Sequence, residues 1–213
     1  KTGVIGVGHL GRFHSLNYAT LQNADLVGIY DIDARRAAEV AEEAGTNHFD
    51  SLDALLDAVD GVSIAVPTDL HHRIGRQALD KDVHCLIEKP LAQNLQEADD
   101  LITRAAEKDC ILQTGHIERF NPALRALEPF PLQPMFIESH RLSPFNPRGT
   151  EVSVILDLMI HDIDLILHLV DSPISTIDAS GVAVVSETID ICNARITFEN
   201  GCVANLTASR ISQ

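Results

Sequence analysis

Apolar and polar positions alternate along the first half of the chain between two periods. Short apolar runs at Gly3–Val7, Leu26–Tyr30, Gly61–Val66, Val83–Ile87 and Ile111–Thr114 have the length and β-branched content of buried strands. Between them, Arg12–Thr20, Ala34–Ala44, Leu52–Val59, Leu70–Leu79 and Leu95–Lys108 carry apolar residues at helical spacing. Strands alternating with helices predict an α/β fold, a doubly wound parallel sheet. The pattern changes near His116. A proline-rich connector, Glu128–Pro134, leads to a strand at Met135–Arg141, a loop with Pro144, Pro147 and Gly149, and one long helix at Val154–Val170. Strands then follow one another at Ile174–Val185, Thr188–Phe198 and Cys202–Ser209, with Asn200-Gly201 as a hairpin signal. Successive strands predict a second, α+β domain on a mainly antiparallel sheet. We place the first domain at residues 1–118 and the second at 119–213.

The first strand runs into Gly6-Val7-Gly8-His9-Leu10-Gly11, and the second ends at Asp31. Gly6 suits a tight turn, Gly8 a close approach of backbone to a pyrophosphate, and Gly11 close packing of helix on strand. N–H groups at the helix start, around His9 and Leu10, favour phosphate. Asp31, about 20 residues further on, is placed to accept hydrogen bonds from an adenosine ribose. A carboxylate there repels a 2′-phosphate, so NAD is the expected cofactor, with NADP open because Arg35 and Arg36 are near in sequence.

The 213 residues carry a net charge of −15, which argues against a nucleic-acid or anionic-membrane surface. No apolar run reaches membrane-spanning length. Cys85, Cys110, Cys192 and Cys202 lack zinc-site spacing and are expected to be reduced, as in a cytoplasmic protein. Lys1 is not an initiator Met and Gln213 closely follows a strand, so an incomplete chain is expected.

Three further clusters carry chemistry. Pro67-Thr68-Asp69-Leu70-His71 lies at the carboxyl end of a parallel strand, where such sheets bind ligands; it also reads as a helix start capped by Thr68 or Asp69. Glu88-Lys89-Pro90 ends the next strand. It is either a surface ion pair or a site placing Lys89 beside a nicotinamide. On the long helix, Asp157, His161 and Asp164 or His168 share a face. A carboxylate one turn from an imidazole suits a general base; Asp157, His161 and His168 are also feasible metal ligands, and a buried polar network fits equally.

These motifs in this order, together with His14 and Gly115-His116-Ile117-Glu118-Arg119-Phe120-Asn121-Pro122, resemble the glucose-fructose oxidoreductase/inositol dehydrogenase family, Gfo/Idh/MocA. The resemblance implies a Rossmann domain followed by an open-sheet domain often used to form homodimers or homotetramers. It implies catalysis by Lys89 and His161 with Asp157 nearby and no metal, while Glu88, Thr68 and His71 seat the nicotinamide ribose. Two departures stand out: Val154-Ile155-Leu156 replaces a glycine-rich stretch, and the family's last strands and helix are missing. Within the family, the Gly115–Pro122 stretch and His140–Phe145 look most like a nucleotide-sugar subgroup, the UDP-N-acetylglucosamine 3-dehydrogenases. The expected substrate is therefore a sugar or UDP-sugar, with dehydrogenases of free sugars or inositols as the alternative. In oxidation His161 would take the hydroxyl proton while Lys89 stabilises the alkoxide. Lys89 could instead be the base if burial depresses its pKa. A methyltransferase would leave Lys89 and His161 without a role, and a silent dinucleotide-binding regulator would not need them. Arg141 and Arg148, in the acid-free stretch between His140 and Thr150, are expected to bind a diphosphate, with Arg119, in the stretch joining the two domains, as a third contact.

Overall fold

The computed structural model describes residues 1–146, 150 and 152–212, so Pro147, Arg148 and Gly149 of the proline-containing loop lie outside the described residues. Two compact units divide at Gly115/His116.

In the first unit, Thr2–Ile5 (β1), Leu26–Tyr30 (β2), Asn47–His48 (β3), Gly61–Ile64 (β4), His84–Ile87 (β5) and Leu112–Thr114 (β6) form one sheet. All its pairings are parallel, in the order β3-β2-β1-β4-β5-β6. The strands alternate with His9–Thr20 (α1), Ala34–Ala44 (α2), Leu52–Leu56 (α3), His71–Asp80 (α4) and Leu95–Glu107 (α5). Both sheet faces are covered, which explains the unbroken apolar runs. Ile5, Ile64 and Ile87 pack with Leu55, Leu79 and Leu101 in one cluster, while Val4, Ile29, Val40 and Ala41 form another. Local chemistry sets the helix ends. Asp33 accepts from the Arg35 and Arg36 N–H groups, Asn94 accepts from Glu97 N–H, and α2 stops at left-handed Gly45. The strand order reverses between β1 and β4, and ligands of such sheets bind at the carboxyl ends beside that switch point. The glycine turn after β1 and the Pro67-Thr68 turn after β4 flank it.

In the second unit, Pro122–Arg125 (α6) precedes Phe136–Leu142 (β7). A π-helical turn, Ile155–Met159, then leads into Ile160–Leu169 (α7), followed by Ile174–Val182 (β8), Ile191–Phe198 (β9) and Val203–Ser209 (β10). The sheet runs β7-β10-β9-β8. Antiparallel pairing holds for β8-β9 and β9-β10, with Gly201 at φ 87° in the predicted hairpin between β9 and β10. Strand β7 instead lies parallel to β10, a geometry that the long crossover through α7 permits. Val154, Met159 and Ile166 pack on Ala194, Ile196, Phe198 and Leu206.

A buried ion pair organises the loop between β8 and β9. Asp190 accepts from the N–H groups of Val184, Val185 and Ser186, from the Ser186 hydroxyl, and from Arg210 Nε at 2.8 Å. Both charged residues are buried. Arg210 also donates to Val152 O, and Val154 N–H donates to Ile189 O, which ties this network to the start of the π turn. Among the described residues no helix is long and apolar enough to cross a membrane.

Candidate active site

The glycine turn is built for a close-approaching ligand. Gly6 adopts φ +80°, and a Cβ there would lie 2.6 Å from Val66 Cγ1. A Cβ on Gly11 would lie 1.8 Å from the Gly6 carbonyl oxygen, so helix and turn touch backbone to backbone. A Cβ on Gly8 would meet nothing within 4 Å. Gly8 is the N-cap of α1 and no side chain caps it, leaving the helix-start N–H groups at His9 and Leu10 beside open space. Packing therefore demands glycine at Gly6 and Gly11, whereas at Gly8 the room fits an approaching pyrophosphate. Asp31 also serves the turn itself, accepting from Val7 N–H at 2.8 Å and from Asp33 N–H at 2.9 Å. The carboxylate thus holds the glycine turn against β2, with further lone pairs left for a ribose.

At the end of β5, Glu88 is buried and accepts from His14 Nε2 at 2.9 Å. His14 stands on α1, one turn past Gly11, and its spacing in the glycine motif gave no hint of this contact. Gly115 leaves just enough room, since a Cβ there would be 3.0 Å from the Glu88 carboxylate. Burial pushes the Glu88 carboxyl up, but the His14 hydrogen bond and charge, aided by the Lys89 N–H and charge, outweigh it and hold the group below 4.5. A carboxyl lowered by folding contributes stability that is complete above its unfolded value and lost as pH falls through the folded one. The melting-temperature gap between wild type and Glu88→Gln is therefore expected to be widest above pH 4.5 and to shrink on further acidification. A gap that stays constant under progressive acidification would show that Glu88 carries no such linkage.

His71 is buried on α4. Its Nδ1 lies 2.8 Å from Pro90 O and its Nε2 lies 2.9 Å from Val66 O. It braces the turn after β4, which carries Pro67 and Thr68, against the Lys89-Pro90 turn after β5. A 3₁₀ turn, Thr68–Leu70, precedes α4, and no side chain caps either, so Thr68 and Asp69 are not the expected caps. Lys89 is half-buried at the mouth of its strand.

In the second unit, half-buried Asp157 lies in the π turn and half-buried His161 in the first turn of α7. Widened turns of this kind often occur at functional sites. The arginines expected on a diphosphate are engaged elsewhere. Arg141 donates Nε and Nη2 to Asp162 at 2.8 and 3.0 Å, and Arg119 donates Nε and Nη2 to Asp164 at 2.7 and 2.6 Å. Arg148 lies outside the described residues. Among the described residues no group of three or more His, Cys, Asp or Glu side chains is placed to hold a metal ion. The four cysteines are free, and burial pushes the Cys85 thiol up to about 12, far from reactive thiolate behaviour.

A parallel sheet of this order, a glycine turn that packing and open space divide between them, and a strand-end acid define a dinucleotide-binding fold. The oxidoreductase family with an NAD-binding Rossmann fold matches residues 1–116, and the GFO/IDH/MocA C-terminal domain matches residues 134–213. The chain belongs to the Gfo/Idh/MocA oxidoreductases, and NAD is the family's cofactor. It is 48% identical over 212 residues to UDP-N-acetylglucosamine 3-dehydrogenase of Acidithiobacillus ferrooxidans, spanning 99% of this chain and 67% of that relative. The solved structure of that enzyme matches with a TM-score of 0.93 over 100% of this chain and 70% of its own. Glucose-6-phosphate 3-dehydrogenase of Bacillus subtilis is 41% identical over 98 residues, 46% of this chain and 28% of that one. Myo-inositol 2-dehydrogenase of Thermotoga maritima is 26% identical over 99% of this chain and 68% of its own.

Proposed function

We propose that the protein is an NAD-dependent dehydrogenase that oxidises carbon 3 of a UDP-N-acetylhexosamine. The observation that carries this reading is the 48% identity, along 99% of the chain, to a UDP-N-acetylglucosamine 3-dehydrogenase. Gly6, Gly8, Gly11 and the N–H groups at His9 and Leu10 hold the pyrophosphate, and Asp31 the adenosine ribose. Pro67, Thr68 and Glu88, with His71 bracing them, hold the nicotinamide ribose. Bound NAD supplies the acceptor for hydride from the substrate carbon. His161 removes the hydroxyl proton, Asp157 orients the imidazole, and the Lys89 ammonium stabilises the alkoxide as it develops.

The engagement of Arg119 and Arg141 by helix carboxylates favours a second reading, in which the sugar carries no nucleotide. One experiment separates the two. Reduction of NAD is followed by absorbance with UDP-N-acetylglucosamine, free N-acetylglucosamine, glucose 6-phosphate and myo-inositol in turn. The UDP-sugar is expected to give the largest kcat/KM, and NAD to exceed NADP roughly tenfold or more because Asp31 repels a 2′-phosphate. Arg35 and Arg36 pair with Glu39 and Asp33, which leaves them poorly disposed to offset that repulsion. Equal rates on the free and conjugated sugar would return the protein to the simple sugar dehydrogenases.

A further inference from the structure

We infer that Arg141 and Arg119 are positioning residues for His161, a two-sided clamp that fixes the rotation of α7 about its own axis. The inference deepens the proposed function and rests on it for the role of His161. Each guanidinium makes a two-pronged contact with one aspartate of α7: Arg141, from β7, with Asp162, and Arg119, from the turn Ile117–Phe120, with Asp164. Both aspartate side chains are only 10% exposed, while Arg141 is 30% and Arg119 44% exposed, so the carboxylate ends of the pairs are shielded and the guanidinium ends reach water. The Asp162 carboxylate and then Glu118 hold the Arg141 guanidinium above its usual range, and Asp164 does the same for Arg119.

The helical geometry gives the clamp its meaning. At about 100° per residue, Asp162 and Asp164 project about 160° apart, and His161 falls inside that arc. A rotation that swings His161 one way must pull one aspartate off its fork and push the other into its own. Forked contacts resist such turning, where a single hydrogen bond would pivot. The two halves are also linked. Glu118, beside Arg119 in the same short turn, has Oε1 3.6 Å from Arg141 Nη1. His116 backs the second half, with Nδ1 3.9 Å from Asp164 Oδ2. Side chains reach a radius of about 5–6 Å from a helix axis, so turning α7 by about 10° moves the His161 ring by about 1 Å. A displacement of that size can cost about 10²-fold in rate.

A clamp and a diphosphate ligand make opposite kinetic predictions. With NAD and UDP-N-acetylglucosamine, Arg141→Lys and Asp162→Asn are each expected to lower kcat about 10–100-fold while KM for the UDP-sugar stays within about threefold. The pH profile of kcat is expected to shift in both. Melting temperatures identify any variant that fails to fold. In folded variants, the rate at which diethyl pyrocarbonate modifies His161, read by peptide mass spectrometry, is expected to change several-fold relative to His48 and His84. A KM raised about tenfold or more with kcat unchanged would make Arg141 a phosphate ligand and overturn the clamp. Unchanged kcat and unchanged His161 modification in both variants would overturn it as well. Should the wild-type protein oxidise no sugar at all, the functional reading fails. The His161 modification rates then decide the clamp without it.

Discussion

His161→Ala is expected to lower kcat by roughly 10²–10⁴-fold, the range for losing a general acid–base group, while NAD affinity changes little. Lys89→Ala is expected to cost roughly 10²–10³-fold, the range for removing one donor to a developing oxyanion. The two losses separate by their pH dependence. If His161 moves the proton, the acidic limb of the profile, where the base becomes protonated, persists in Lys89→Ala and disappears in His161→Ala. The reverse pattern would hand the proton to Lys89. NAD affinity, followed by calorimetry, guards against confusing lost chemistry with a lost cofactor. Turnover near the wild-type rate by both variants on the best substrate would remove both residues from the mechanism.

The largest stability effect is expected at the buried Asp190–Arg210 pair. Arg210→Met removes one partner and leaves the Asp190 carboxylate enclosed, and breaking a buried pair in this way should lower Tm by on the order of 10 °C. Asp190→Ala should be worse. It strands the Arg210 charge and also orphans the three N–H groups of Val184, Val185 and Ser186. Folding holds the Asp190 carboxyl far below 3.8, chiefly through the Ser186 N–H against the opposing effect of burial. Its contribution is therefore present above pH 3.8 and survives until strong acid. Equal melting temperatures for wild type and Arg210→Met at neutral pH would show that the pair adds nothing to stability.

The features legible in the sequence were those encoded over short distances. The glycine spacing, the apolar runs buried on both sheet faces, and the Asn200-Gly201 hairpin each declare themselves within a few residues. Strand β3 did not, because Asn47 and His48 are exposed polar residues that form a strand only by pairing with Gly28 and Ile29. The predicted helix Val154–Val170 carries a continuous apolar pattern, and nothing in that pattern distinguishes a π turn at its start from an α turn. The parallel placement of β7 depends on which edge of the sheet remains open once β8, β9 and β10 have paired. Charge partners were the least legible. Arg141 and Asp162 lie 21 residues apart and Arg119 and Asp164 lie 45 apart, so composition gave a basic loop where folding gives two forks. Asp190 and Arg210 look ordinary in sequence, and only the return of β10 beside β9 buries them together.

The parallel pairing of β7 with β10 also sets how far apart along the chain the partners in the second sheet lie. Strands β8, β9 and β10 follow one another and join through local connections, so they can register early with little chain entropy to overcome. Strand β7 must wait until α7 and all three strands have been made before its partner β10 exists. The strand that supplies Arg141 is thus the most non-local part of its sheet. A variant that frays this edge would keep the hairpins and their spectroscopic signature. It would lose the direction of the His161 ring, and with it turnover, well before it counted as unfolded.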